Sequence, residues 1–162
     1  MSTESQNLYQ INTGILPRDA CIFIVHTQWN PGIVNQLVEG CVDTLREYGM
    51  NNFKILSVPG AFEIPFGIRA VWETHRNKFE KPHCFIALGC VLRGDTPHFD
   101  YVCKAVTDGI LHLNLTLPVP TVYGILTVDN EQQAIDRLGG SKGHKGKEAA
   151  LTALKMMELK YY

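Results

Sequence analysis

Four times along this chain a short apolar run is followed by a segment whose apolar residues recur at helical spacing. The runs are residues 21–26, 53–58, 84–92 and 121–128. The third run reads as a buried strand, and the other three as strands of the same kind of sheet. The first leads into 32–48, where Ile33, Val34, Leu37, Val38, Cys41, Val42 and Leu45 form one stripe and Gly49 supplies a stop. The second leads into a helix from 63 to about 73, and the third into one with Phe99, Val102, Val106, Ile110 and Leu113 on one face. Two helical segments close the chain, about 130–138 and 147–160, separated by a glycine-rich loop. Successive strand–helix units predict an α/β protein. The expected form is a three-layer αβα sandwich with a central four-stranded parallel sheet and right-handed crossovers.

A chain of 162 residues is the size of one domain, and we take 1–162 as a single unit with 1–14 as an N-terminal arm. The net charge of −1 gives no strong field to draw nucleic acid or an anionic membrane. No apolar run approaches the roughly 20 residues of a membrane span, and the polar start, residues 1–6, does not read as a secretory signal. The five cysteines are odd in number and no two have CxxC spacing, which argues against zinc and against a redox dithiol. Three lie in apolar runs as small core residues. A reducing cytoplasm fits this usage.

In parallel sheets of this kind, ligands bind beyond the carboxyl ends of the strands. Trp29-Asn30 follows the first strand, Gly60-Ala61-Phe62-Glu63 the second and Gly94 to His98 the third, so all three are expected on one edge. Thr96-Pro97 has the pattern of an N-cap followed by proline at the first helical position. His98 then stands in the first turn of a helix, where free N–H groups attract phosphate. An imidazole there is either a proton shuttle or an incidental surface group. Trp29 is either a lid over the core or a flat surface for a planar ligand. Glu63 either complements a helix dipole or accepts bonds from sugar-like hydroxyls. Tyr123 reads as a core aromatic. Arg137, just before a basic glycine-rich loop, is either a solvated helix end or a fork for phosphate. That loop lacks the spacing of a Walker loop.

Taken together, these segments resemble the lumazine synthase family. Val58-Pro59-Gly60-Ala61-Phe62-Glu63-Ile64-Pro65 and the stretch from Leu88 to Val102 carry its most specific motifs. Tyr123-Gly124-Ile125-Leu126-Thr127 and Gln133-Ala134-Ile135-Asp136-Arg137 follow in the right order. The resemblance implies a flavodoxin-like fold and a transferase making 6,7-dimethyl-8-ribityllumazine, the penultimate step of riboflavin biosynthesis. The substrates would be 5-amino-6-(D-ribitylamino)uracil and 3,4-dihydroxy-2-butanone 4-phosphate, with no metal and no organic cofactor. It implies His98 as the proton shuttle and Trp29 stacked on the pyrimidine. Asn30, Ala61, Phe62 and Glu63 would line the ring and ribityl pocket, with backbone of Cys90, Val91 and Leu92 at the pyrimidine edge. Asp95, Thr96, Arg137 and Lys145 would bind phosphate, and Tyr123 would cover the ring from an adjacent subunit. Asp95 stands where the family commonly has a small neutral residue, so only its N–H is expected to matter. The family forms homopentamers and capsids of pentamers, with riboflavin synthase as a partner to test. A carrier on the same fold would use Trp29 but need neither His98 nor Arg137, and a shell protein would need none of them.

Overall fold

The structure, a computed structural model, describes residues 10–161. The expected arm at 1–14 lies largely outside them. The elements are β1 (Cys21–Thr27), α1 (Pro31–Glu47), β2 (Phe53–Val58), α2 (Ile64–His75), β3 (Pro82–Leu92), α3 (His98–Thr116), β4 (Thr121–Val128), α4 (Glu131–Ile135), β5 (Leu138–Gly140), β6 (Gly143–His144) and α5 (Lys145–Leu159). Strands β1 to β4 form one parallel sheet in the order β2-β1-β3-β4, the arrangement of flavodoxin-like doubly wound folds. The three-layer sandwich is as expected. β3 is central and starts at Pro82, where a missing N–H costs little at a strand's first residue. Among the described residues, no helix is long and apolar enough to cross a membrane.

Strand pleating divides the core in two. Ile22, Ile24, Ile86 and Leu88 face α1 and α5, with Leu37, Leu45 and Leu154 packed on them. Phe23, Val25, Phe85 and Ala87 face α2 and α3, against Ile64, Ile68, Val106 and Ile110. On the first face the approach is very close. A Cβ at Gly124 would lie 2.5 Å from Leu88 Cδ2 and 3.3 Å from the Ala149 methyl, and one at Gly146 would run into the Leu37 carbonyl.

The last quarter of the chain departs from expectation. The helix predicted for 130–138 is one short turn-pair, Glu131–Ile135, capped by the Asn130 side chain on Gln133 N–H at 3.0 Å. The predicted loop is instead a small antiparallel ribbon, β5 with β6, and α5 begins at Lys145 rather than 147. Gly139 (φ 100°) and Gly143 (φ 79°) take left-handed backbone that lets the ribbon turn, which other residues would resist. His144 Nδ1 accepts from Gly146 N–H at 3.2 Å and caps α5, a task histidine seldom advertises in sequence.

Candidate active site

The carboxyl end of the sheet gathers the predicted loops. Asn30 sits in left-handed backbone (φ 55°), which asparagine tolerates better than most side chains. Its Nδ2 donates to the Cys90 carbonyl at 2.9 Å, tying the ends of β1 and β3 together. This leaves Trp29 71% exposed, so it is not a lid over the core of its own chain. Residues Ala61–Glu63 form a short 3-10 turn before α2, with Glu63 N–H on the Gly60 carbonyl at 3.2 Å. Gly60 marks the meeting point. A Cβ placed there would be 3.0 Å from Glu63 Oε2 and 3.4 Å from Trp29 Cδ1. Ala61 is buried under this turn, while Phe62 beside it is 63% exposed. The outcome is an open ledge with an indole, a phenyl ring and a carboxylate. The Cys90 thiol takes no part: burial pushes it up to about 11, and only its carbonyl faces Asn30.

The loop after β3 is held at both ends by Arg93. Its Nε donates to Asp129 Oδ1 at 2.7 Å and its Nη1 to Asp100 Oδ1 at 3.2 Å, with the guanidinium 4.1 Å above the Phe99 ring. Asp129 is the main reason the guanidinium is held above its ordinary value. Asp95, Thr96 and His98 are exposed on this loop. The hydrogen-bonded helix begins at His98, one residue after the predicted start at Pro97. The N-cap position falls on Pro97 rather than on Thr96 as expected, and the Thr96 Oγ1 accepts from His98 N–H only at a long 3.4 Å. His98 is therefore in the first turn of α3, as expected, on the same sheet edge as Trp29 and Glu63.

Arg137 and Lys145 are brought to each other but not to that ledge. Arg137 Nη2 donates to Glu148 Oε2 at 3.1 Å and Nη1 to the Lys142 carbonyl at 2.8 Å, while Lys145 Nζ reaches the same Glu148 oxygen at 3.5 Å. They line a cleft of about 490 Å³ with Thr127, Gln133 and Lys142. Ala134 and Leu138, on either side of Arg137, pack into the α1/α5 core, whereas α3 packs on the opposite face of the sheet. Tyr123 sits mid-strand beside Ala87 and points at α3, its hydroxyl 3.1 Å from Thr107 Oγ1. Burial is the main cause that raises its pKa. Val91 and Leu92 end β3 half-buried, one toward each core.

The profile of the 6,7-dimethyl-8-ribityllumazine synthase family matches residues 19–161. This chain belongs to that family. A protein of Parabacteroides distasonis named 6,7-dimethyl-8-ribityllumazine synthase is 45% identical over 161 residues, covering 97% of this chain and 98% of the relative. Like-named proteins of Phocaeicola vulgatus (43% identical; 99% and 95% covered) and Porphyromonas gingivalis (42%; 98% and 98%) agree over nearly the whole length.

Three residues of this lumazine synthase family member have structural partners that the sequence pattern does not assign, although Gln133 lies in one of its motifs. Arg93 pins the loop that carries His98, and its only local signal is Asp100, seven positions on. Glu148 joins Arg137 to Lys145, and its three-residue spacing from Lys145 on one helix was the available clue. Gln133 lines the cation cleft and accepts from Asp129 N–H at 2.8 Å, linking α4 to the end of β4.

Proposed function

We propose that this chain condenses 5-amino-6-(D-ribitylamino)uracil with 3,4-dihydroxy-2-butanone 4-phosphate to 6,7-dimethyl-8-ribityllumazine, the penultimate step of riboflavin biosynthesis. The observation that carries this reading is the meeting of Trp29 and Glu63 at Gly60, on the edge where α3 opens with His98. Trp29 offers an exposed face on which the pyrimidine stacks. Asn30 is oriented by its bond to Cys90, and its Oδ1 remains to accept from a ribityl hydroxyl, as do the oxygens of Glu63. Ala61 and Phe62 wall the ribityl side, and backbone of Cys90, Val91 and Leu92 borders the pyrimidine. The amine attacks the ketone and water leaves to form an imine. Phosphate then departs, and ring closure loses a second water. Each step moves a proton, which His98 accepts and returns. The N–H groups of Asp95 and Thr96, and an arginine fork, stabilise charge on the departing phosphate.

Arg137 and Lys145 serve this role from a neighbouring copy in our reading, because in their own chain they stand on the other face of the sheet. Tyr123, which faces α3 from the edge strand β4, would cover the ring of a neighbouring copy. Support comes from α2 and α3, where Phe66 (78% exposed), Tyr101, Leu111 and Leu115 leave much apolar side-chain area uncovered around the Lys104–Asp108 pair. A head-to-tail ring, here a homopentamer or an assembly of pentamers, would cover it and complete each site. Riboflavin synthase is the further partner in this reading, and the cytoplasm the compartment, consistent with five unpaired thiols.

The test is incubation of the purified assembly with both substrates while watching for the lumazine chromophore. Replacing His98 with alanine should lower turnover by about 10²–10⁴-fold with little change in pyrimidine binding. Unchanged turnover would return His98 to a structural role.

A further inference from the structure

One side chain beside the cation cluster lines neither cleft nor ledge, yet it joins the backbone segments that carry the two cations. His144 pairs across the ribbon with Leu138, the residue after Arg137, and is itself followed by Lys145. Lys145 N–H donates to the Arg137 carbonyl at 2.8 Å, closing the loop of backbone around the ring. The imidazole lies flat on Gly40 of α1, so closely that a Cβ there would fall 2.6 Å from Nε2 and 2.8 Å from Nδ1. On its other side, Nδ1 accepts from Gly146 N–H at 3.2 Å, at the point where Gly146 abuts the Leu37 carbonyl. The ring thus joins α1 to the start of α5, the helix that carries Lys145.

We infer that His144 is a positioning residue for phosphate binding: as a neutral ring protonated on Nε2, it sets the spacing of Arg137 and Lys145. This rests on the phosphate role given to those two residues above. A ring that accepts at Nδ1 cannot carry a proton there, and burial, with Lys147 next, favours the uncharged form by lowering its pKa from 6.5. Without the acceptor, Gly146 N–H loses its partner and the start of α5, which carries Lys145 and Glu148, is free to shift. Arg137 and Lys145 would then no longer match the oxygens of one phosphate, and a small misplacement is enough to lose much of the effect.

The experiment compares His144→Leu, His144→Asn and Arg137→Ala in the assembled enzyme, measuring KM for each substrate and kcat. His144→Leu should raise KM for the phosphorylated ketone about tenfold, with KM for the pyrimidine within about twofold of wild type. His144→Asn keeps an acceptor near the same place and should restore the wild-type KM. Equal loss for both substrates in His144→Leu, or no recovery in His144→Asn, would overturn the inference. Arg137→Ala separates it from the reading beneath it. If Arg137→Ala raises the ketone KM and His144→Leu does not, only the His144 role fails. If Arg137→Ala has no ketone-selective effect, the phosphate assignment itself fails. A wild-type measurement guards against a variant that does not fold: histidine ring nitrogen-15 spectra should show His144 protonated on Nε2 alone, with and without inorganic phosphate. A proton on Nδ1 would sink the proposal.

Discussion

The two faces of the sheet use similar residues toward different ends. On the α1/α5 side, Leu37, Leu45, Leu154 and Met157 are at most 1% exposed, and glycines let helices approach through backbone contact. Among the large apolar side chains of α4 and α5, Ile135, Met156 and Leu159 emerge. On the α2/α3 side, Phe66, Tyr101, Leu111 and Leu115 are between 58% and 78% exposed, although Ile64, Ile68 and Val106 beneath them are fully buried. The first face is completed by its own chain. The second has a finished inner layer and an apolar outer layer whose burial would need another surface. The ledge opens beside the second face, and the cation pair is anchored in the first.

The strongest way to break this comparison is to split the site between copies. Trp29→Ala and Arg137→Glu should each be nearly inactive alone. Unfolded together and refolded as mixed assemblies, they should recover activity at about a quarter of the sites, since that share of interfaces in a head-to-tail ring pairs two intact halves. Size-exclusion chromatography would establish that mixed assemblies form. If they do and activity stays at the single-variant level, each site is built within one subunit.

A smaller effect should follow from charging the open face. Leu111→Arg with Leu115→Arg should yield a folded single subunit with wild-type helical circular dichroism and a much lower mass by light scattering. Activity should fall with assembly. Retention of the wild-type mass would show that α3 is not the contact surface.

The opposite outcome is expected on the sealed face. Gly146→Ala forces a methyl toward the Leu37 carbonyl. Overpacking of this kind costs about 1–3 kcal/mol, which for a domain of this length lowers Tm by roughly 2–12 °C. The oligomer should keep its size. An unchanged Tm would mean that α1 and α5 have room to part.

The smallest effect is the pH response at the amino end of the sheet, far from the ledge. His83 is buried, and its Nδ1 accepts from the Cys21 N–H at 3.1 Å. Burial is the main reason its pKa falls below 6.5, with Lys81 and Lys160 acting in the same direction against Asp19. The unfolded chain therefore binds this proton more readily. The contribution of His83 is complete above about pH 6.5 and is lost as pH falls through the lowered folded value. Melting curves of wild type and His83→Gln, which keeps an acceptor without a proton to gain, should converge above that pH and separate below it. Parallel curves at all pH values would remove His83 as a cause of acid sensitivity.

Much of this was readable before the structure. β2 and β4 span the predicted residues without change, although β2 is an edge strand with Ile55 and Leu56 exposed rather than buried. The ledge was readable as well, since parallel topology sends the residue after every strand to the same edge. The final quarter was less so. Its ribbon depends on two glycines in left-handed backbone and on a histidine cap, and neither has the periodicity that reveals longer elements. The ion pairs of Arg93 and Glu148 are hard to read for a related reason: each is defined by two side chains meeting in space, and Asp129 lies 36 positions from Arg93 and Arg137 11 from Glu148.

Sequence alone therefore determined the αβα layering, the parallel sheet and the edge on which Trp29, Glu63 and His98 stand. These follow from local apolar spacing and from a chain-order rule that holds wherever parallel strands share a sheet. Tertiary structure decided which residues share a face. Only the packing of α4 and the ribbon against α1 and α5 puts Arg137 and Lys145 across the sheet from His98, and only the fit of His144 onto Gly40 ties that pair to the core. Such placements depend on contacts between residues distant in sequence, whose geometry no local pattern encodes.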